Sequence, residues 1–293
     1  MPVGRIQQRR QTTKFRRIME NVMKRNLASV LGLCLLFITT LAVYPCIVNA
    51  QSHLSILQAT LMETDQKTKE VSTEELRKIL LEKTAIVFDA RPFKEYSISH
   101  IPGAVNVAAK VGVPMSFYVS DVAEIGRVVK GNKTAAIVLY CNGPFCGKSK
   151  RLAAELVEAG YTNVRRYQLG IPVFRALGGV TQIDAEGIRY VTENDRTAVF
   201  IDSREAAEFK AGSIPAARNI PQSLLKPGKD VGEIKAAKDD GRLPMEDHNT
   251  RIIVFGKTAE QARAVAEAIT AEGFHNVSLF AGSVDQFKSV SRP

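Results

Sequence analysis

Ile137-Val138-Leu139-Tyr140-Cys141-Asn142-Gly143-Pro144-Phe145-Cys146-Gly147-Lys148-Ser149 is an apolar run of strand length that drops onto a cysteine and continues into a loop with two glycines and a proline. A helical pattern, Leu152-Ala153-Ala154-Glu155-Leu156-Val157, opens soon after. This order places the Cys141 thiol at the carboxyl end of a strand, facing the N-terminus of the next helix. Backbone N–H groups converge there and the helix dipole adds partial positive charge. Both effects favour thiolate over thiol, so a pKa near the ordinary ~8.5 is expected to fall toward neutrality. Gly143 and Gly147 supply the backbone freedom that a loop wrapped around one sulfur needs, and Pro144 restricts the rest. Lys148, Lys150 and Arg151 follow at once as candidates to hold an anionic substrate. A buried structural cysteine in an ordinary strand-to-helix turn is the bland alternative. Two glycines, a proline and three cations beside the thiol weigh against it.

Upstream stand Asp89-Ala90-Arg91 and Ser99-His100-Ile101-Pro102-Gly103-Ala104-Val105-Asn106. With the Tyr140-Cys141 loop they resemble the rhodanese-like family. Its usual run is an aspartate at a strand end, an arginine two residues on, a His-Ile-Pro-Gly-Ala segment, and Tyr-Cys opening the active-site loop. The resemblance implies a doubly wound α/β domain and a cysteine that carries sulfane sulfur as a persulfide. It assigns the catalytic role to Cys141. Asn142, Gly143, Pro144, Phe145, Cys146, Gly147, Lys148 and Ser149 form the loop around the substrate. Asp89 and Arg91, with His100, are expected to pin loops near the sheet's carboxyl edge rather than to touch substrate. In the commonest family loop a serine opening the helix lies six residues after the cysteine, whereas Ser149 lies eight after Cys141. The longer Cys-x-Gly-Pro-x-Cys loop is a variant of the same family and bears on substrate size. Cys146 is then a resolving thiol or a small residue that fits.

The chain has 293 residues and 45% hydrophobic content, enough for two cores of ordinary size. Its net charge of +10 would suggest nucleic acid, but residues 1–26 carry eight Lys/Arg against the single acid Glu20. Nucleic-acid binding therefore loses its main support. Residues 27–44 are uncharged, Pro45 breaks the run, and Val48-Asn49-Ala50 offers a peptidase site before Gln51. This reads as a secretory signal peptide, with an uncleaved inner-membrane anchor over residues 27–48 as the rival. Either way the main body is expected outside the cytoplasm, in the periplasm, and meets a membrane only through its N-terminal segment. Cys34 and Cys46 fall in the segment expected to leave, which keeps only Cys141 and Cys146 in the mature chain. That pair is neither a disulfide scaffold nor a zinc site, and no metal or cofactor is expected.

The pattern repeats. Asp202-Ser203-Arg204, Glu208-Phe209, Ile214-Pro215, Ala217 and Asn219 match Asp89-Ala90-Arg91, Glu95-Tyr96, Ile101-Pro102, Ala104 and Asn106 at a constant offset of 113, as do Gly273-Phe274 and Gly160-Tyr161. Two tandem α/β domains are expected, each a parallel sheet flanked by helices. The boundaries read as a signal peptide or anchor over residues 1–50, a linker or short leading helix over 51–70, a thiol-bearing domain over 71–182 and a second domain over 183–293. Ser72 with Glu75 marks a helix start. In the second copy Gly256 stands where the thiol would be, and its loop is two residues shorter. That half cannot do cysteine chemistry. The resemblance implies that it covers the active-site loop of the first.

Three function classes follow. One is a sulfurtransferase that moves sulfane sulfur from a small anion such as thiosulfate, through Cys141, to a thiol acceptor or reductant. Another is a phosphatase or arsenate reductase, which would want an arginine closing a Cys-x5-Arg loop where Gly147 stands. The third is a non-catalytic redox or binding module using Cys141 and Cys146.

Overall fold

Strands buried on both faces read as unbroken apolar runs. Four such runs, Ile86–Asp89, Ile137–Tyr140, Val199–Asp202 and Ile252–Phe255, form the centres of two sheets. The structure is a computed structural model and describes residues 55–107 and 121–291. The expected signal peptide or anchor, with Cys34 and Cys46, lies outside the described residues. Among the described residues no helix is long and apolar enough to cross a membrane.

The first domain runs β1 (Lys69–Glu70), α1 (Thr73–Glu82), β2 (Ile86–Asp89), α2 (Phe93–Ile98), β3 (Val105–Asn106), α3 (Val122–Val128), β4 (Ile137–Tyr140), α4 (Lys148–Glu158), β5 (Val164–Tyr167) and α5 (Gly170–Ala176). The second runs β6 (Thr181–Ile183), α6 (Ala185–Asn194), β7 (Val199–Asp202), α7 (Ala206–Ala211), β8 (Arg218–Asn219), α8 (Gly232–Asp239), β9 (Ile252–Phe255), α9 (Ala259–Ala271), β10 (Val277–Phe280) and α10 (Val284–Val290). Each sheet has five parallel strands, in the orders β1-β5-β4-β2-β3 and β6-β10-β9-β7-β8. The stretch read as a linker contributes β1, which pairs with β5 at Arg165 and Arg166 and so joins the sheet.

Alternation along β4 decides where the thiol faces. Ile137, Leu139 and Cys141 pack with Leu152, Ala153 and Leu156 of α4, while Val138 and Tyr140 pack with Leu76, Ile79, Ile171 and Phe174 on the opposite face. Ser72 caps α1 by accepting from Glu75 N at 3.1 Å. The Glu75 carboxylate binds Arg165 Nη1 at 2.6 Å.

The two halves are joined through α2 and β6. His100 and Gln182 exchange backbone hydrogen bonds of 2.9 and 2.8 Å, Asp184 N donates to Ser97 O at 2.8 Å, and Arg175 Nη1 donates to Asn276 Oδ1 at 3.1 Å. The hydrogen bonds described for residues 141–149 stay within the first domain. The hydrogen bonds described between the halves thus run along α2 and β6, and the loop tip at Pro144 and Phe145 is exposed.

Candidate active site

Cys141 directly follows β4 and is buried, with 2% of its surface exposed. Its Sγ lies 3.1 Å from Cys146 O, to which it donates, and 3.3 Å from Ser149 Oγ. Despite the eight-residue spacing, Ser149 reaches the sulfur, because the added length is turned outward. Pro144 and Phe145 are exposed at the loop tip, Phe145 completely, and Cys146 N folds back onto Gly143 O at 3.0 Å. Asn142 is also exposed and its side chain binds Glu95 of α2.

The glycines divide differently from the sequence reading. Gly143 has φ +99° and is used as expected. Gly147 caps α4 in an ordinary helical conformation, φ −73°, with open space where a side chain would go. The indispensable second glycine is Gly170, φ +67°, at the start of α5. A Cβ there would be driven into Gly143 N and Cys141 O. Its neighbour Ile171 N donates to Cys141 O at 3.2 Å, so this close approach locks the loop's first residue. Ser149 is buried, Lys148 is half-buried at the first turn of α4, and the Lys150 ammonium sits 3.3 Å from Glu63.

The expected depression of the Cys141 pKa is not what the geometry gives. The adjoining Cys146 side chain and burial push the Cys141 thiol well up, with the Ser149 hydroxyl and amide pulling the other way. Cys146 is lowered to about 5, first by its contact with the Cys141 thiol. The Lys148 and Asn142 amides and the Lys148 charge act in the same direction, against burial. The physical cause is that each sulfur acts on the other, and Cys146 has two amides and more solvent to favour its charged form. The direction of the two shifts is that Cys146 holds charge more readily than Cys141.

Asp89 and Arg91 are buried on the far side of β4. Arg91 Nε donates to Asp89 Oδ1 at 3.0 Å, Arg91 Nη2 donates to Ser99 O at 2.6 Å, and Tyr140 Oη donates to Asp89 Oδ2. Burial works against the Arg91 charge, but Asp89 outweighs it and raises the guanidinium further. His100 is buried and stacked on Tyr96 with ring centroids 3.9 Å apart; burial lowers its pKa despite Asp184. The same bracket recurs in the second domain, where Arg204 Nη2 reaches Gly212 O at 2.9 Å and Asn219 Nδ2 reaches Arg204 O at 2.8 Å. There Phe255 has no hydroxyl for Asp202, and Ser213 Oγ supplies it at 2.6 Å. A bracket that persists without a thiol is framework.

The second domain's cradle is filled from within. A Cβ at Gly256 would be driven into Ser203 Oγ and lie 2.9 Å from Gln261 Oε1. Gln261 Oε1 already accepts from Lys257 N at 2.8 Å.

Two contributors escaped the sequence reading. Arg166 of β5 is buried at 3% exposure behind Ser149, and Glu63 of the leading segment pairs with it at 3.4 Å. The available signal was Arg166 itself, a charge inside an otherwise buried strand whose counterpart at the offset of 113 is Leu279. Elsewhere, a cleft of ≈740 Å³ lined by Arg77, Phe174, Gly178, Arg263 and Glu267 lies between the domains, away from the thiols. It holds no nucleophile. Among the described residues no group of three or more His, Cys, Asp or Glu side chains is placed to hold a metal ion.

The Rhodanese-like domain profile matches residues 72–177 and 190–290. A putative mitochondrial thiosulfate sulfurtransferase of Schizosaccharomyces pombe is 26% identical over 90 residues, covering 30% of this chain and 62% of that protein. The thiosulfate:glutathione sulfurtransferase of Saccharomyces cerevisiae is 25% identical over 101 residues, covering 34% of this chain and 72% of that one. Among solved structures, the 3-mercaptopyruvate sulfotransferase SseA of Escherichia coli aligns over 74% of this chain and 98% of its own at 22% identity, with a TM-score of 0.33. The thiosulfate sulfurtransferase of Pseudomonas aeruginosa aligns over 75% and 44% at 19% identity and a TM-score of 0.32. With both halves matched by one profile and built on one strand order, the chain belongs to the rhodanese-like domain family, as two tandem domains of which the first alone carries cysteine.

Proposed function

We propose that the protein is a sulfurtransferase in which Cys141 carries sulfane sulfur and Cys146 manages its proton. The observation that carries this reading is the buried Cys141 thiol at the end of β4, 3.1 Å from Cys146 O and 3.3 Å from Ser149 Oγ at the start of α4, with the Cys146 thiol beside it. The Cys146 thiolate takes the Cys141 proton as a donor enters. The Cys141 thiolate attacks the outer sulfur of a thiosulfate-type anion, the S–S bond breaks, and sulfite leaves with its electron pair. The resulting persulfide anion is held by the Ser149 amide and hydroxyl. An acceptor thiolate attacks the terminal sulfur and restores the Cys141 thiolate. Both fungal relatives are thiosulfate sulfurtransferases by name, and the one from Saccharomyces cerevisiae is named for glutathione as acceptor, which supports a thiosulfate donor and a thiol acceptor here.

A second reading makes Cys146 the carrier, favoured by its greater exposure and its two amides. Incubation with thiosulfate or 3-mercaptopyruvate, trapping with an alkylating reagent and peptide mass analysis separate the two. Sulfane sulfur is expected on Cys141, and Cys141→Ser is expected to abolish it. Sulfane sulfur on Cys146 in an active Cys141→Ser protein would reverse the assignment. Release of phosphate from an aryl phosphate by the same protein would favour the phosphatase class instead.

The proposal includes export. Its support is the order of basic tail, apolar run, Pro45 and Ala50. Mass spectrometry of the protein from its native host should find a chain starting at Gln51. An intact N-terminus in the membrane fraction would favour the anchor over residues 27–48.

A further inference from the structure

Arg166 is a buried cation with poor contacts. Its Nη2 lies 3.5 Å from Ser149 Oγ, and its Nη1 lies 3.4 Å from Glu63 Oε2 and 3.5 Å from Gln66 Oε1. Charge-assisted bonds to a committed partner run about 2.7–2.9 Å. Arg166 Nε, and Oε1 of Gln168 just past the end of β5, are buried with no hydrogen-bond partner. Glu63 is divided among Arg166, Lys150 and Gln168. A desolvated guanidinium costs several kcal/mol unless it is well paired, and here its pairing is left incomplete.

The second domain is an internal control. β4 and β5 pair Leu139 with Arg166, and β9 and β10 pair Val254 with Leu279, so Arg166 and Leu279 occupy one place in the sheet. Leu279 is fully buried core. The fold thus accommodates an aliphatic side chain there. The residue of α9 that takes the place of Ser149 is Ala262, also fully buried. Cys141, Ser149 and Arg166 therefore form a contiguous line, and where the thiol is absent all three are replaced, by Gly256, Ala262 and Leu279. The Asp89–Arg91 bracket, by contrast, survives as Asp202–Arg204. The line follows the sulfur, not the fold.

We infer that Arg166 is a positioning residue for the reacting sulfur, its buried charge acting through Ser149 to hold Cys141 in its anionic form as thiolate or persulfide. Charge on the sulfur turns the Ser149 hydroxyl to donate toward Cys141, leaving the Ser149 oxygen to accept from Arg166. Glu63 is the counterweight: it draws the guanidinium away while the sulfur is neutral. The other charged groups around the loop are Cys146 within it, Lys148, Lys150, Arg151 and Glu155 on α4, Glu95 on α2 through Asn142, and Asp121 before α3, which is raised to about 6 by burial and by Glu155 and Glu124. This inference rests on Cys141 being the reacting sulfur.

The test uses the full chain with Cys146→Ser throughout, so that one thiol is followed, and no sulfur donor. Alkylation of Cys141 by iodoacetamide is timed across pH and located by peptide mass. Arg166→Met and Ser149→Ala should each slow alkylation about tenfold at pH 8, an upward shift of about one unit in the midpoint. Arg166→Lys should recover most of the rate. Glu63→Gln should speed it, because the guanidinium is released toward Ser149. An unchanged profile in Arg166→Met, or slowing in Glu63→Gln, would overturn the inference. A purely structural role predicts either no shift or shifts of one sign. Since no donor is present, these outcomes are independent of whether the protein transfers sulfur.

Discussion

Ser149 Oγ stands 3.3 Å from Cys141 Sγ although Ser149 lies eight positions further along the chain. The loop holds its two ends together and sends its surplus, Pro144 and Phe145, into solvent. What the longer loop adds is a second sulfur beside the first, and the two push each other's pKa in opposite directions.

The first prediction concerns pH. Cys146 is lowered to about 5 by Cys141, two amides and Lys148, so its thiolate fraction rises through that pH. A folded-state pKa below the unfolded thiol's ~8.5 gives stability that is present above ~8.5 and lost as pH falls toward 5. Cys141, raised by its neighbour and by burial, acts in the opposite sense. Reactivity is therefore the cleaner readout. Iodoacetamide at pH 6.5 should label Cys146 before Cys141, and labelling should fade below pH 5. Labelling of Cys141 first would refute the assignment of the resting charge.

Gly170→Ala should cost about 2–4 kcal/mol, combining a left-handed φ with a Cβ pressed against backbone. The loss should appear in a denaturant melt, with the sulfur-loading step impaired in the protein that remains folded. By contrast Gly147→Ala should be tolerated within about 0.5 kcal/mol, because its conformation is helical and its surroundings are open. Equal costs at the two positions would contradict this account of the loop.

Gly256→Cys should not create a second active site. Ser203 Oγ and the Gln261 amide occupy the space, and overpacking there should cost about 1–3 kcal/mol. A persulfide detected on residue 256 by trapping would show that the second cradle opens.

Tyr140→Phe copies the second domain's Phe255 without supplying its Ser213. It leaves Ile101 N, now 3.1 Å from the Tyr140 hydroxyl, without an acceptor and takes a donor from Asp89. The expected loss is about 1–3 kcal/mol, with the pH profile of thiol alkylation unmoved. A shifted profile would mean that the Asp89 bracket communicates with the sulfur after all.

The sequence alone determined the tandem α/β architecture, the strand ending at Cys141 and the absence of thiol chemistry from the second half. These are local or repeating features: an apolar run of strand length, Ser72 beside Glu75, and an offset of 113 that keeps Asp89, Arg91 and Asn106 in step with Asp202, Arg204 and Asn219. Tertiary structure alone decided the direction in which each sulfur's pKa moves, the choice of Gly170 over Gly147 and the place of Arg166. Each depends on groups far apart in the chain that approach within a few ångströms. A pKa is set by every dipole and charge around a sulfur, and a glycine is required only where another backbone passes close. Spacing along the chain records neither. For Arg166 the sequence held a clue in Leu279, but only the register of β4 against β5, and of β9 against β10, turned that offset into a line from guanidinium to thiol.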